Sequence, residues 1–241
     1  MVDEDEGVPH VEGHRSAFGS ERIGRLREKL WRRAFSPLDA FIFEKAIAPA
    51  VSRIIGPLVS SLVGGTQVLD VGCGGGMIAR SVAESSRCNV LGVDPSTSQV
   101  RRFNRHRRER PEVRAIRGRA DALPFSTGAF DSLYSSCTWK HWPDAARAAA
   151  ECARVVRSGG AIIVVEIDRA GTKDDWRRFV SAGRVPRGLR KMVIWFTLLM
   201  VAPVGPCATS LGASFDGLPV SPPKVSKLGD LPFLVCTTTV L

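Results

Sequence analysis

The spacing of apolar and polar positions changes several times along the chain, and each change marks an element. In TQVLDVG (66–72), CNVLGVD (88–94), VRAIRG (113–118), AFDSLYSS (129–136) and AIIVVEI (161–167) apolar residues cluster over a few positions. Short runs of this kind predict strands buried on both faces. In GMIARSVAESS (76–86), TSQVRRFNRHRRER (97–110) and DAARAAAECARVVR (144–157) apolar residues return every three or four positions, which predicts helices. The last of these is expected to end at Ser158-Gly159-Gly160. Strands alternating with helices imply an α/β fold, with a parallel sheet and helices on both faces. PPKVSKLGDLPFLVCTTTV (222–240) reads differently: two β-rich runs meet at Leu228-Gly229-Asp230, the pattern of an antiparallel hairpin.

The flanks carry other patterns. Residues 1–18 read as a mobile acidic tail, and 19–63 as a helical cap. Within the cap, ERIGRLREKLWRRAF places Ile23, Leu26, Leu30 and Trp31 on one face. The following stretch, 38–63, is apolar on most sides but holds Pro49 and Pro57, which should break or kink a helix. Residues 64–241 form the main domain, and 168–222 reads as an irregular, partly apolar insertion covering it. The longest apolar run, MVIWFTLLMVA (192–202), is too short to span a bilayer.

Composition narrows the class. The 241 residues suffice for one domain with a full core. The net charge of +10 is compatible with nucleic acid, an anionic membrane or simply a solvated basic surface, and the last reading is favoured. Six cysteines are scattered without metal-ligand spacing, which argues against a disulfide framework and a structural metal and fits a reducing, cytoplasmic setting. The first ten residues are acidic and do not resemble a secretory signal.

The chemistry concentrates in VLDVGCGGGMIARS (68–81), with four glycines in five positions between a strand and a helix. Glycine costs backbone entropy, so such a cluster needs a geometric reason, and a ligand lying on bare backbone at a helix N-terminus is one. Gly72, Gly74, Gly75 and Gly76 fit the first two positions of a dinucleotide fingerprint, but Met77 stands at the third, and no Gly-Lys-Ser/Thr follows for a phosphate loop. Three carboxylates stand near the strand ends: Asp70 just before the glycines, Asp94 closing the second strand and Asp121 following the third. They would repel a pyrophosphate and suit a cation carrying a ribose.

VLDVGCGGG, VLGVDPS, ADALPFSTGAFDSLYSS and ECARVVRSGGAIIVVE resemble, in order and spacing, the motifs of class I S-adenosylmethionine-dependent methyltransferases, above all the small-molecule type. The resemblance covers roughly 64–167, with Ser158 where the family usually has proline. It implies a Rossmann-like seven-stranded sheet, mostly parallel with the C-terminal antiparallel hairpin. It implies S-adenosyl-L-methionine as cofactor. Asp70 and the backbone of Gly72, Cys73, Gly74 and Gly76 would hold its methionine part. Asp94, followed by Pro95, would bind the ribose hydroxyls. Asp121 and Ala122 would meet the adenine, and Ser135 and Ser136 would lie beside the sulfonium.

Methyl transfer from a sulfonium is an in-line displacement that rests mainly on alignment. SSCTWKHWPD (135–144) should line the acceptor side. His141 there is a candidate base for a hydroxyl acceptor, or alternatively orders the loop. Trp139 and Trp142 read as packing or walls, and Glu166 as a strand-end carboxylate rather than a base. Phe41, Phe43, Trp195 and Phe196 would suit a hydrophobic small-molecule acceptor, or ordinary core. Two other readings stay open. Nine arginines between Arg101 and Arg119 could serve nucleic acid, although a solvated outer helix far from the strand ends is preferred. Arg184, Arg187, Arg190 and Lys191 before the apolar run could serve transient membrane contact. No obligate protein partner is inferred.

Overall fold

The computed structural model describes residues 47–106, 110–142 and 144–241. The tail, the pattern at 21–35, Phe41 and Phe43 lie outside the described residues. Seven strands form one sheet: β1 (Gln67–Val71), β2 (Asn89–Asp94), β3 (Val113–Arg117), β4 (Phe130–Ser136), β5 (Val156–Ile167), β6 (Lys224–Lys227) and β7 (Phe233–Thr239). Their order is β3-β2-β1-β4-β5-β7-β6. β1 to β5 pair in parallel, and β7 runs antiparallel between β5 and β6. The hairpin turns where the sequence placed it, with Leu228 N–H bonded to Phe233 O at 2.9 Å.

Strand periodicity divides the core in two. Val68, Tyr134, Ile163 and Val165 face one hydrophobic cluster, and Leu69, Val71, Leu133, Ile162 and Val164 face the other. The first is covered by α1 (Ala48–Leu62), α2 (Met77–Ser86), α3 (Thr97–Phe103), α5 (Lys173–Ala182) and α6 (Arg190–Phe196). The second is covered by α4 (Ala145–Val155) and α7 (Ala208–Ala213). The strand order reverses between β1 and β4, which opens a crevice at the carboxyl ends of the strands.

Three elements differ from the sequence reading. α1 runs straight through Pro57. Pro49 lies in its first turn, where no N–H partner is lost. Pro57 is exposed, while Ile55, Gly56 and Val59 bury the opposite side against α2. The helix expected over 97–110 ends at Phe103 and passes into a 3-10 turn. There the Asn104 amide donates to Ala115 O (2.8 Å) and accepts from Ala115 N–H (2.9 Å), tying the helix end to β3. The Ser158-Gly159-Gly160 segment, expected as a turn, belongs to β5. Val156 already pairs with Phe130, and the register shift before Ser132 absorbs the extra residues as a bulge. A Cβ on Gly160 would meet Asp131 O at 2.5 Å, so the close approach demands glycine there.

Candidate functional site

The crevice holds a cavity of about 440 Å³. One end is the glycine loop between β1 and α2. Gly72 and Gly76 have φ near +80° and +75°, a region that disfavours any side chain. A Cβ on Gly72 would lie 2.5 Å from the Thr138 hydroxyl, and one on Gly76 would lie 2.5 Å from the Phe103 ring. The protein's own packing therefore requires these two glycines. Gly74 differs: space is open where its Cβ would be, and it lines the cavity.

Two carboxylates stand beside the loop. Asp94 closes β2; its Oδ2 accepts from Gly74 N–H (3.0 Å) and its Oδ1 from Ser96 N–H (2.8 Å). Those bonds fix its orientation and leave further lone pairs on both oxygens. Asp70 is 3% exposed. Burial pushes its carboxyl up to about 7, against the opposing effect of the Tyr134 hydroxyl, which donates to Oδ2 at 2.9 Å, and with a further upward push from Asp94. A cation beside Asp70 would reverse that balance. Cys73 lies on the loop with its thiol pushed upward by burial, which keeps it neutral.

The opposite end is apolar. Ile167, Trp176, Phe179, Val201 and Phe233 line it, and Ile47 and Val51 of the α1 region close it. Trp176, Phe179 and Phe233 form an edge-to-face trio with centroids 5.4–6.3 Å apart. These three aromatics were not singled out from the sequence, because they come from α5 and β7 and meet only in the fold.

The bridge between the two ends is the segment after β4: Ser136, Cys137, Thr138, Lys140 and His141. Strand alternation separates the two serines. Ser135 turns away and shares a hydrogen bond with the Thr138 hydroxyl (2.8 Å), whereas Ser136 faces the cavity with a buried Oγ that has no protein partner. Cys137 holds φ +58°, uncommon for a residue with a side chain. Its thiol is pushed up to about 12, mainly by burial, so it is not a nucleophile. Lys140 anchors the segment: its ammonium donates to Glu166 Oε1 (2.9 Å) and Cys137 O (2.6 Å). Both partners of that pair are buried, so Glu166 is a structural counter-ion. His141 sits exposed at the rim, in the 3-10 turn Trp139–His141.

Other expected residues lie elsewhere. Pro95, Asp121, Ala122 and Ser135 are not among the residues lining the cavity. Arg119 donates to both Asp121 oxygens at 2.9 and 2.7 Å, and these bonds hold its carboxyl below the usual range. Trp139 and Trp142 pack on each other and Trp139 on Phe215, so they are packing groups. Trp195 is 64% exposed and Phe196 packs against the core, so neither lines the chamber. Arg102, expected on a helix remote from the strand ends, lines the cavity beside Gly75, because α3 folds back over the glycine loop.

Residues 69–164 match the family model described as "Methyltransferase domain". Methyltransferase GfsG of Streptomyces halstedii is 37% identical over 122 residues, covering 49% of this chain and 44% of that protein. The ubiquinone biosynthesis O-methyltransferase of Paracidovorax citrulli is 33% identical over 131 residues, covering 52% and 54%. The chain thus spans about half the length of these relatives. A SAM-dependent methyltransferase from Aquifex aeolicus superposes with a TM-score of 0.58 at 12% identity, covering 90% of this chain and 98% of that one.

Proposed function

We propose that this chain, which belongs by domain and fold to the class I S-adenosylmethionine-dependent methyltransferases, methylates a small and largely apolar acceptor. One observation carries the reading. A single cavity joins an acidic glycine loop to an aromatic chamber through a short polar segment. The donor set fits the cofactor: two carboxylates with spare lone pairs and open space beside Gly74, chemistry that favours a ribose diol and positive charge. When bound, S-adenosylmethionine supplies an activated methyl for in-line displacement.

The roles of the residues follow from their chemistry. Asp94 accepts from the ribose hydroxyls, and Asp70 balances the charge of the methionine end. Asp121, kept ionised by Arg119, is assigned with the Ala122 backbone to the far, adenine side, and Pro95 stays beside Asp94 on the ribose side. Ser136 offers its unsatisfied hydroxyl to the polar group of the acceptor. The 168–222 insertion covers the acceptor with Trp176, Phe179 and Val201 and excludes water. His141 is assigned the proton-accepting role for a hydroxyl acceptor. Titration calorimetry with S-adenosylmethionine and its demethylated product, followed by mass spectrometry of a panel of phenols, quinols and polyketides incubated with the enzyme, tests the reading. Absence of binding heat on folded protein refutes it. Binding without methylation of any apolar acceptor, but with methylation of nucleic acid, overturns the substrate class.

A further inference from the structure

The segment that closes the apolar chamber has a second face. From Arg190 to Val201 the chain is helical, first as α6 and then as a wider π turn over Thr197–Val201. Val193, Ile194, Thr197 and Val201 are buried, and the last two line the chamber. Lys191, Trp195 and Leu199 follow one another at four-residue spacing on the other side and are exposed. Trp195 is 64% and Leu199 42% exposed. A groove of about 680 Å³ runs from this face to α5, where Lys173 and Arg177 join its rim.

Three cations thus frame an exposed tryptophan and leucine, and no carboxylate lines the groove. Arg177 is partly compensated by Asp174 at 2.6 Å, whereas Lys173 and Lys191 make no ion pair among the described residues. Tryptophan beside lysines suits one environment well. The indole lies at a boundary between apolar and wet phases, and lysine stems lie along apolar surface with their ammonium groups reaching anions. The whole chain carries +10, which adds long-range attraction to a negative surface.

We propose that this face docks on an anionic lipid bilayer. Trp195 and Leu199 enter the boundary between headgroups and acyl chains, and Lys173 and Lys191 pair with lipid phosphates. The contact is interfacial, since no helix among the described residues is long and apolar enough to cross a membrane. Docking does not depend on which acceptor is methylated. It would, however, set one face of the segment against lipid while the other lines the acceptor chamber.

The test is flotation of the full chain with two kinds of vesicle: phosphatidylcholine alone, and equal parts phosphatidylcholine and phosphatidylglycerol. Flotation is expected with the anionic vesicles only, falling steeply as salt rises. Lys173→Gln and Lys191→Gln should each lower the partition constant about fivefold, and Trp195→Ala by about tenfold or more. Tryptophan emission should shift to the blue on adding anionic vesicles, and Trp195→Phe should abolish the shift. Unchanged cofactor binding by the variants shows that the fold has survived. Absence of flotation, or flotation indifferent to all three substitutions, overturns the proposal. So does a dimer in light scattering that Trp195→Ala dissociates, because the face then belongs to a second copy.

Discussion

Asp70 is buried within a site proposed to take a cation, and that combination makes cofactor affinity depend on pH. The residue is 3% exposed, and burial above all pushes its carboxyl up from 3.8 to about 7. Binding of a cationic methionine end requires the carboxylate, so protonation competes with binding. Affinity should be flat well above pH 7 and fall about tenfold for each pH unit below it, or roughly a hundredfold by about pH 5. Calorimetry near neutrality in buffers of different ionisation enthalpy should detect proton release on binding. The Tyr134 hydroxyl stabilises the charged form, so Tyr134→Phe should move the midpoint upward by about one to two pH units. Asp70→Asn should weaken binding at high pH and remove this pH dependence, and His141→Ala should leave it in place. Stability has the opposite sign. The folded pKa is raised, so between about 3.8 and 7 the native protein binds more protons than the unfolded chain. The ligand-free protein therefore loses stability as pH rises through that window, by a few kcal/mol. Asp70→Asn should raise its melting temperature above pH 7. A pH-independent affinity in the wild type, or an unchanged profile in Asp70→Asn, refutes the reasoning.

Four further outcomes are expected. Asp94→Ala should reduce cofactor affinity tenfold or more in calorimetry, since each hydrogen bond lost to the carboxylate is worth about 1.5–3 kcal/mol; the Gly74 and Ser96 N–H groups lose the same acceptor, so the melting temperature should also fall while the fold survives. Lys140→Met removes the counter-ion of the buried Glu166 carboxylate and should cost about 3–5 kcal/mol in denaturant unfolding; adding Glu166→Gln, which removes the charge and keeps an oxygen for the Ile167 N–H, should recover part of it. Ser136→Ala should raise the KM for a polar-headed acceptor several-fold with cofactor affinity unchanged, as steady-state kinetics and calorimetry will show. His141→Ala should lower turnover on a hydroxyl acceptor by roughly 10²–10⁴-fold, with cofactor binding intact; full activity removes His141 from the reaction.

Much of this protein is determined by neighbours within a few residues of sequence. Short apolar runs become strands, three-to-four spacing becomes helix, and Leu228-Gly229-Asp230 becomes a turn, because these preferences act locally. The glycine loop was legible for the same reason, and Asp70 and Asp94 were found as residues that end strands. The sequence alone could not tell that Gly72 and Gly76 serve Thr138 and Phe103. It also could not tell which of the adjacent serines, Ser135 or Ser136, faces the cavity. Alternation makes them opposite, but only the sheet order says which side holds the site. Trp195 was named from the sequence as a chamber residue and Trp176 was not, yet Trp195 faces solvent and Trp176 lines the chamber. Their burial depends on how α5, α6 and β7 pack together, contacts between segments far apart in the chain. The same holds for Lys140 and Glu166, 26 residues apart. Local propensity supplied the elements and the loop, and long-range packing decided which side chains meet, because a side chain's destination depends on what the rest of the chain brings to it.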